Sequence, residues 1–177
     1  MRRKSRAYSL YELLVTMAVA ATLLMIGVPS LAALIARQQQ SVEINALFHA
    51  IHLARKESIM RRRVVSLCPS VDGTQCTPGR DWSAGWMMFE NRDRDEPPMR
   101  DDGEPILQKH TVGRNIRILA NRRGFTLRAV EKRATNGTLV VCDSAGRTRA
   151  KALVVSWTGR PRVALENSRG AAYSCAD

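Results

Sequence analysis

The chain has 177 residues, a net charge of +12, four cysteines and an aromatic content of 5%. That length suits a single domain with at most one appended element, and a hydrophobic fraction of 45% excludes wholesale disorder. Glycine and cysteine are too sparse for collagen-like or disulfide-knot classes, while an excess of Arg over Lys, 23 to 5, suits recognition of phosphate or carboxylate groups.

At the N-terminus, Arg2, Arg3, Lys4 and Arg6 precede an apolar run from Leu10 to Ala36 whose one formal charge is Glu12. As a helix this run spans roughly 40 Å, against about 30 Å for a bilayer core. The basic flank predicts a cytoplasmic N-terminus, with everything after Arg37 exported. A cleaved secretory signal has an apolar region of about 7–15 residues, so this longer run reads as a retained membrane helix. Pro29 lies inside it, where the missing N–H predicts a kink.

Glu12 is the residue this reading must explain. A carboxylate within an apolar layer is costly unless it finds a partner. Either it sits at the membrane edge, or it awaits a positive charge on another molecule. The string Arg6-Ala7-Tyr8-Ser9-Leu10-Tyr11-Glu12-Leu13-Leu14-Val15 resembles the type III signal of type IV pilins and type II secretion pseudopilins. That signal is a short basic leader, a cleavage point, an aromatic residue and a glutamate four positions later. The resemblance implies that a prepilin peptidase cuts between Ala7 and Tyr8 and methylates the new amine of Tyr8. It also implies that Glu12 pairs with the N-terminal amine of a neighbouring pilin in the filament. Ala7 stands where the family prefers Gly, and Tyr8 where Phe is usual. Residues 1–7 are then a leader, 8–36 a transmembrane and assembly helix, and 37–177 a periplasmic head with a basic C-terminal region.

The helix is expected to continue to about Arg62. Ile44, Leu47, Phe48, Ile51 and Ile59 recur at helical spacing, while Gln38–Gln40, Glu43, Asn45, His52 and Lys56 fall on the polar side. His49 and His52 lie three apart, but no cysteine or carboxylate completes a metal site with them, so they read as surface histidines.

Beyond Arg63 the pattern turns to short β-prone runs punctuated by Gly, Pro, Asn and Asp. Strands are predicted at Val64–Cys68, Trp86–Glu90, Ile106–His110, Asn115–Leu119, Gly124–Val130, Thr138–Cys142, Ala152–Thr158 and Arg162–Leu165. The expected class is α+β, a long N-terminal helix packed on an antiparallel β-sheet head. Asp93 to Glu104, with Pro97-Pro98, reads as a solvated loop whose Asp93, Asp95, Asp101 and Asp102 lack calcium-loop spacing. Cys68, Cys76, Cys142 and Cys175 all follow the apolar run and form no C-x-x-C pair, so disulfides are expected in an oxidising periplasm. Of the three possible pairings, Cys68–Cys76 with Cys142–Cys175 is favoured.

The head narrows the resemblance. Ser66-Leu67-Cys68-Pro69-Ser70, Cys76, Trp82 to Phe89, Leu139 to Asp143, Leu153 to Ser156, Thr158-Gly159-Arg160-Pro161-Arg162 and a final cysteine are together similar to the FimT/GspH group of minor pilins, on the FimT side.

Charge is segregated in the head: Asp72 to Glu104 sums to −5, and Gly113 to Gly170 to +10. An arginine-rich block of this kind attracts nucleic-acid phosphates. Arg147, Arg149 and Lys151 share one parity and would point the same way in an extended chain. Gly159-Arg160-Pro161-Arg162 matches a Gly-Arg-x-Arg motif that FimT-type pilins of naturally transformable bacteria carry, and the resemblance implies DNA capture there. No aromatic interleaving is evident, so binding is expected to be sequence-independent and salt-sensitive.

Phosphate-loop, nucleophile-elbow and His-Glu-x-x-His motifs are missing, which disfavours an enzyme and gives no cofactor site. The expected protein is a minor pilin of the type IV pilus, held in the inner membrane by one helix and extracted into the pilus. It would act with an inner-membrane assembly platform and with major and minor pilins, and would bind DNA for uptake in natural transformation. The alternatives are a structural tip or priming subunit without a DNA role and a minor pseudopilin of type II secretion.

Overall fold

The computed structural model describes residues 9–175, so Ala7 and Tyr8, where the leader is expected to be cut, lie outside the described residues. The chain divides into two compact units, Met1–Ile35 and Ala36–Asp177.

One helix, α1, runs from Leu10 to Arg61, 52 residues. It carries an 18-residue window of mean hydropathy 2.2 in which no residue is buried. Its start is fixed by a reciprocal cap. The Glu12 N–H donates to Ser9 Oγ (3.2 Å), while the Ser9 N–H donates to Glu12 Oε2 (3.1 Å). Ser-x-x-Glu is the capping-box spacing, and it satisfies two backbone donors that the first turn leaves free. Pro29 lies within α1 and leaves the Met25 carbonyl without its usual intrahelical donor.

Within the second unit α1 buries a stripe through Ala36, Gln40, Glu43, Ile44, Leu47, Ala50, Ile51, Ala54 and Ser58. The stripe departs from the predicted face in three places. Gln40 and Glu43, placed on the polar side from sequence, are buried, and Ile59 is 54% exposed. Ser58 takes the position expected of Ile59, with its Oγ accepting from the Ala129 N–H (3.1 Å). Gln40 Nε2 donates to the carbonyls of Val141 and Arg149, both at 2.8 Å. Glu43 accepts from the Gly113 N–H (3.0 Å) and lies 2.7 Å from His110 Nε2. These partners offset the desolvation of the Glu43 carboxylate and of Gln40 Nε2, while the buried Gln40 Oε1 has no partner among the described residues, and periodicity alone cannot reveal them.

Among the described residues, nine strands form two antiparallel sheets. The first holds β1 (Val64–Pro69), β2 (Gly85–Asn91), β3 (Ile106–Thr111), β5 (Phe125–Arg128) and β6 (Arg133–Ala134) in the order β3-β2-β1-β5-β6. The second holds β4 (Ile116–Ala120), β7 (Gly137–Asp143), β8 (Lys151–Val155) and β9 (Pro161–Ala164) in the order β4-β7-β8-β9. Eight of these nine elements are the predicted strands. The ninth, β6, is two residues long and too short to carry a pattern. The single sheet expected from sequence is thus two. Leu47, Ile51, Leu67, Trp82, Trp86, Ile118, Phe125, Leu139 and Leu153 bring the helix and both sheets into one core.

The structure pairs Cys68 with Cys76 and Cys142 with Cys175, at Cα separations of 5.6 and 6.4 Å. The second bond ties the C-terminal segment to the end of β7. Residues 93–104 form a loop whose carboxylates turn onto their own backbone. Glu104 accepts from the N–H groups of Arg92 (2.5 Å) and Asp101 (3.1 Å), and Asp95 from that of Met99 (2.8 Å).

Candidate nucleic-acid interface

The basic residues singled out in the sequence fall into two groups at opposite ends of β8. The first is the turn joining β8 to β9. The Gly159 N–H donates to the Ser156 carbonyl (2.9 Å), the Ser156 N–H to the Arg160 carbonyl (3.1 Å), and the Arg160 N–H to Ser156 Oγ (3.1 Å). Gly159 has φ +74°, and a Cβ there would come within 2.8 Å of Leu127 Cδ1 and 3.2 Å of the Ala134 Cβ. The position therefore requires glycine both for its backbone conformation and for its close packing. Two outside contacts fix the turn: the Ala134 N–H donates to the Trp157 carbonyl (2.8 Å), and Arg55 Nη1 to the Thr158 carbonyl (3.0 Å).

Pro161 opens β9, the edge strand, where a missing N–H is tolerated. It pairs with Val155 and is buried, so its neighbours Arg160 and Arg162 are turned outward, and both are exposed. Arg162 pairs with Val154 on the face of the sheet away from Leu153 and Val155. Among the described residues, neither Arg160 nor Arg162 forms an ion pair with a carboxylate. Trp157, in the same turn, is 66% exposed.

The second group, Arg147, Arg149 and Lys151, lines a cleft of about 490 Å³ together with Arg37 and Gln40. Lys151 Nζ lies 3.3 Å from Ser41 Oγ on α1. The first group touches α1 at Arg55, and Ser41 and Arg55 are separated by about 21 Å along the helix axis. The three converge on this cleft without being alternate positions of one extended strand, because residues 144–150 form a connection and β8 begins at Lys151.

Arg147 is also engaged internally. Its Nε and Nη2 donate to Asp143 Oδ2 (3.0 Å) and Oδ1 (2.6 Å), and its backbone N–H donates to Oδ2 (2.9 Å). The side-chain hydrogen bonds from Arg147 hold the Asp143 carboxyl below the usual carboxylate range, against the opposing effect of burial. Since the folded value is depressed, this stabilisation is full above the unfolded value of about 3.9 and fades as pH falls through the folded value. Asp143→Asn is expected to cost about 1–2 kcal/mol, a figure discounted because the guanidinium is partly exposed. It should also flatten the loss of stability below about pH 4, as read by thermal unfolding across a pH series.

The acidic block leaves the basic one largely uncompensated. Among the described residues, its ion pairs with the basic region are Glu96–Arg128 (2.5 Å) and Arg94–Glu131 (3.4 Å), and the second of these takes up an acid of the basic region rather than a cation. Hydrogen bonds from the Thr74 side chain and backbone hold Asp72 well below the usual carboxylate range. His49 and His52 are exposed and flank Phe48, with ring centroids 5.8 and 4.7 Å from it. The sequence reading missed Trp157. Its place beside Ser156 and one residue before the Thr-Gly turn was the available signal, but a lone aromatic at a strand end reads equally well as core.

The family model described as type II transport protein GspH matches residues 43–159, more than half of the chain. Among solved structures, the minor pseudopilin EpsH of the Vibrio cholerae type 2 secretion system aligns with a TM-score of 0.52 and 11% identity. That alignment covers 71% of this chain and 96% of that one. The Pseudomonas aeruginosa type IV minor pilin FimU aligns with a TM-score of 0.48 and 23% identity, covering 78% of this chain and 99% of that one. No curated protein sequence matches significantly. The matched segment takes in α1 from Glu43 onward, strands β1 to β8 and the glycine of the β8–β9 turn, and by it the chain belongs to the GspH/FimT-type family of minor pilins and pseudopilins.

Proposed function

We propose that this minor pilin takes part in type IV pilus assembly through α1 and captures DNA through the β8–β9 hairpin for uptake in natural transformation. The observation that carries the DNA reading is the pair Arg160 and Arg162, exposed on a braced hairpin without carboxylate partners among the described residues. Guanidinium groups so displayed suit phosphate oxygens, which fix a protein on DNA without reading its sequence. Arg149, Lys151 and Arg37 form a second basic surface that a long polyanion would meet at another point of the same head. In this reading a prepilin peptidase removes residues 1–7, the helix holds the chain in the inner membrane with the head in the periplasm, and an assembly platform extracts it into the pilus.

The test is fluorescence anisotropy of the full chain in a neutral detergent with labelled duplex DNA across a salt series. Arg160→Gln/Arg162→Gln should weaken binding about 10–100-fold at low salt and make the log–log salt slope shallower by about 2. Binding unchanged by the double substitution would transfer the role to the Arg149/Lys151 cleft. No binding by the unaltered chain would leave a structural pilus or secretion subunit.

A further inference from the structure

We propose that Trp157 is a base-stacking platform, which makes the β8–β9 hairpin selective for DNA with unpaired bases over intact duplex. The inference rests on the DNA-capture reading and names the form of DNA that the site takes.

Three observations carry it. First, Trp157 is 66% exposed, whereas Trp82 and Trp86 are fully buried. A tryptophan turned to solvent loses the burial that normally accompanies so large an apolar ring. Second, the turn that carries it is braced by hydrogen bonds. The Trp157 carbonyl accepts from Ala134, the Thr158 carbonyl from Arg55, and the turn closes on itself through Ser156, Gly159 and Arg160. A ring on so braced a mount has little backbone freedom left to lose on binding. Third, its neighbours are cationic. Arg160 is three residues away in the same turn, Arg162 follows on β9, and the exposed Arg133 lies on β6, whose Ala134 bonds the Trp157 carbonyl.

An exposed aromatic ring beside arginines that have no carboxylate partner among the described residues matches the two demands of single-stranded DNA, a phosphate track and a flat apolar partner for a base. Another pilin head covering the ring would have to bring carboxylates to the arginines as well, so the charge favours a polyanion. In duplex DNA the bases are stacked on one another and present only their edges, so the ring gains a partner there only at an end or an opened step. Stacking reads no base identity, since every base has a π-face. The site therefore stays sequence-independent while distinguishing strand state.

The experiment compares a labelled oligothymidine with a blunt-ended duplex of two complementary strands of equal total phosphate number, each titrated with the full chain in neutral detergent. Four chains are used: unaltered, Trp157→Ala, Trp157→Phe and Arg160→Gln/Arg162→Gln. The unaltered chain should bind the single strand more tightly. Trp157→Ala should lower that affinity about five- to a hundredfold and change duplex affinity less than about twofold, and Trp157→Phe should restore most of the loss. Because the other two tryptophans are buried, quenching of the exposed tryptophan emission by the oligothymidine reports Trp157 directly. Equal effects of Trp157→Ala on both DNAs, or no effect on either, would overturn the stacking role. If the arginine double substitution still abolishes binding in that case, DNA capture stands without it. Failure of the unaltered chain to bind either DNA would sink both readings. Shielding of Trp157 that rises with protein concentration in the absence of DNA would also overturn the proposal, by showing that a second copy covers the ring.

Discussion

Glu12→Gln is expected to leave the chain in the membrane while removing it from assembled pili. In the isolated chain the Glu12 carboxylate caps its own helix through Ser9, and glutamine at that position can keep the cap. What glutamine cannot supply is the negative charge proposed to meet the amine of a neighbouring subunit. Losing one member of a desolvated ion pair costs about 3–5 kcal/mol, or roughly 150–5000-fold in incorporation at equilibrium. Glu12→Ala removes both cap and charge. Immunoblots of membrane and sheared-pilus fractions separate the two roles. If capping is what matters, the glutamine variant assembles and the alanine variant does not. If charge pairing is what matters, both stay in the membrane fraction. Assembly of both variants would overturn the proposed role of Glu12.

Cys142→Ser/Cys175→Ser is expected to lower the stability of the head by about 3–4 kcal/mol. The bond closes a loop of 33 residues in sequence, and the chain-entropy relation gives a figure of this size. That loop contains β8, β9 and the hairpin turn with Arg160 and Arg162, so the unfolded chain gains freedom throughout the proposed DNA-binding segment. The folded hairpin keeps its ladder to β8 and its contacts with Arg55 and Ala134. DNA affinity measured well below the new melting temperature should therefore change little. Thermal unfolding by circular dichroism, paired with the anisotropy titration, checks both parts. A large fall in affinity with unchanged stability would mean that the C-terminal segment itself contacts DNA.

The N-terminal half was the more legible in sequence. An uninterrupted apolar run followed by helical spacing leaves one reading of Leu10 to Arg61, and local signals of this kind do not depend on distant residues. Eight strands were equally visible, because turn residues bracket them. The errors arose where a residue's fate depends on what faces it. Glu43 looks like a surface residue until His110 and Gly113 supply its hydrogen bonds, and Ile59 looks like core until Ser58 is seen bonding across to Ala129.

The candidate site divides in the same way. Gly159, Arg160, Pro161 and Arg162 were recognisable together because four consecutive residues match the family's Gly-Arg-x-Arg motif, and the structure supplies the physical reason: glycine at a positive φ, proline at the start of an edge strand, and arginines on either side of it. Arg147, Arg149 and Lys151 lie near them in number and far from them in space, since β8 carries the chain about five residues away before the turn. Nor could the sequence tell that Asp143 would occupy Arg147, or that Trp157 would stand in solvent rather than in the core. By itself, then, the sequence determined a membrane-length helix, a β-rich head, the family and the hairpin motif, all of which rest on local pattern and composition. The tertiary structure alone decided that there are two sheets, which buried polar groups find partners, which arginines remain unpaired and which aromatic ring is left exposed. Each of these depends on long-range juxtaposition, where burial and electrostatics act between residues that no sequence window brings together.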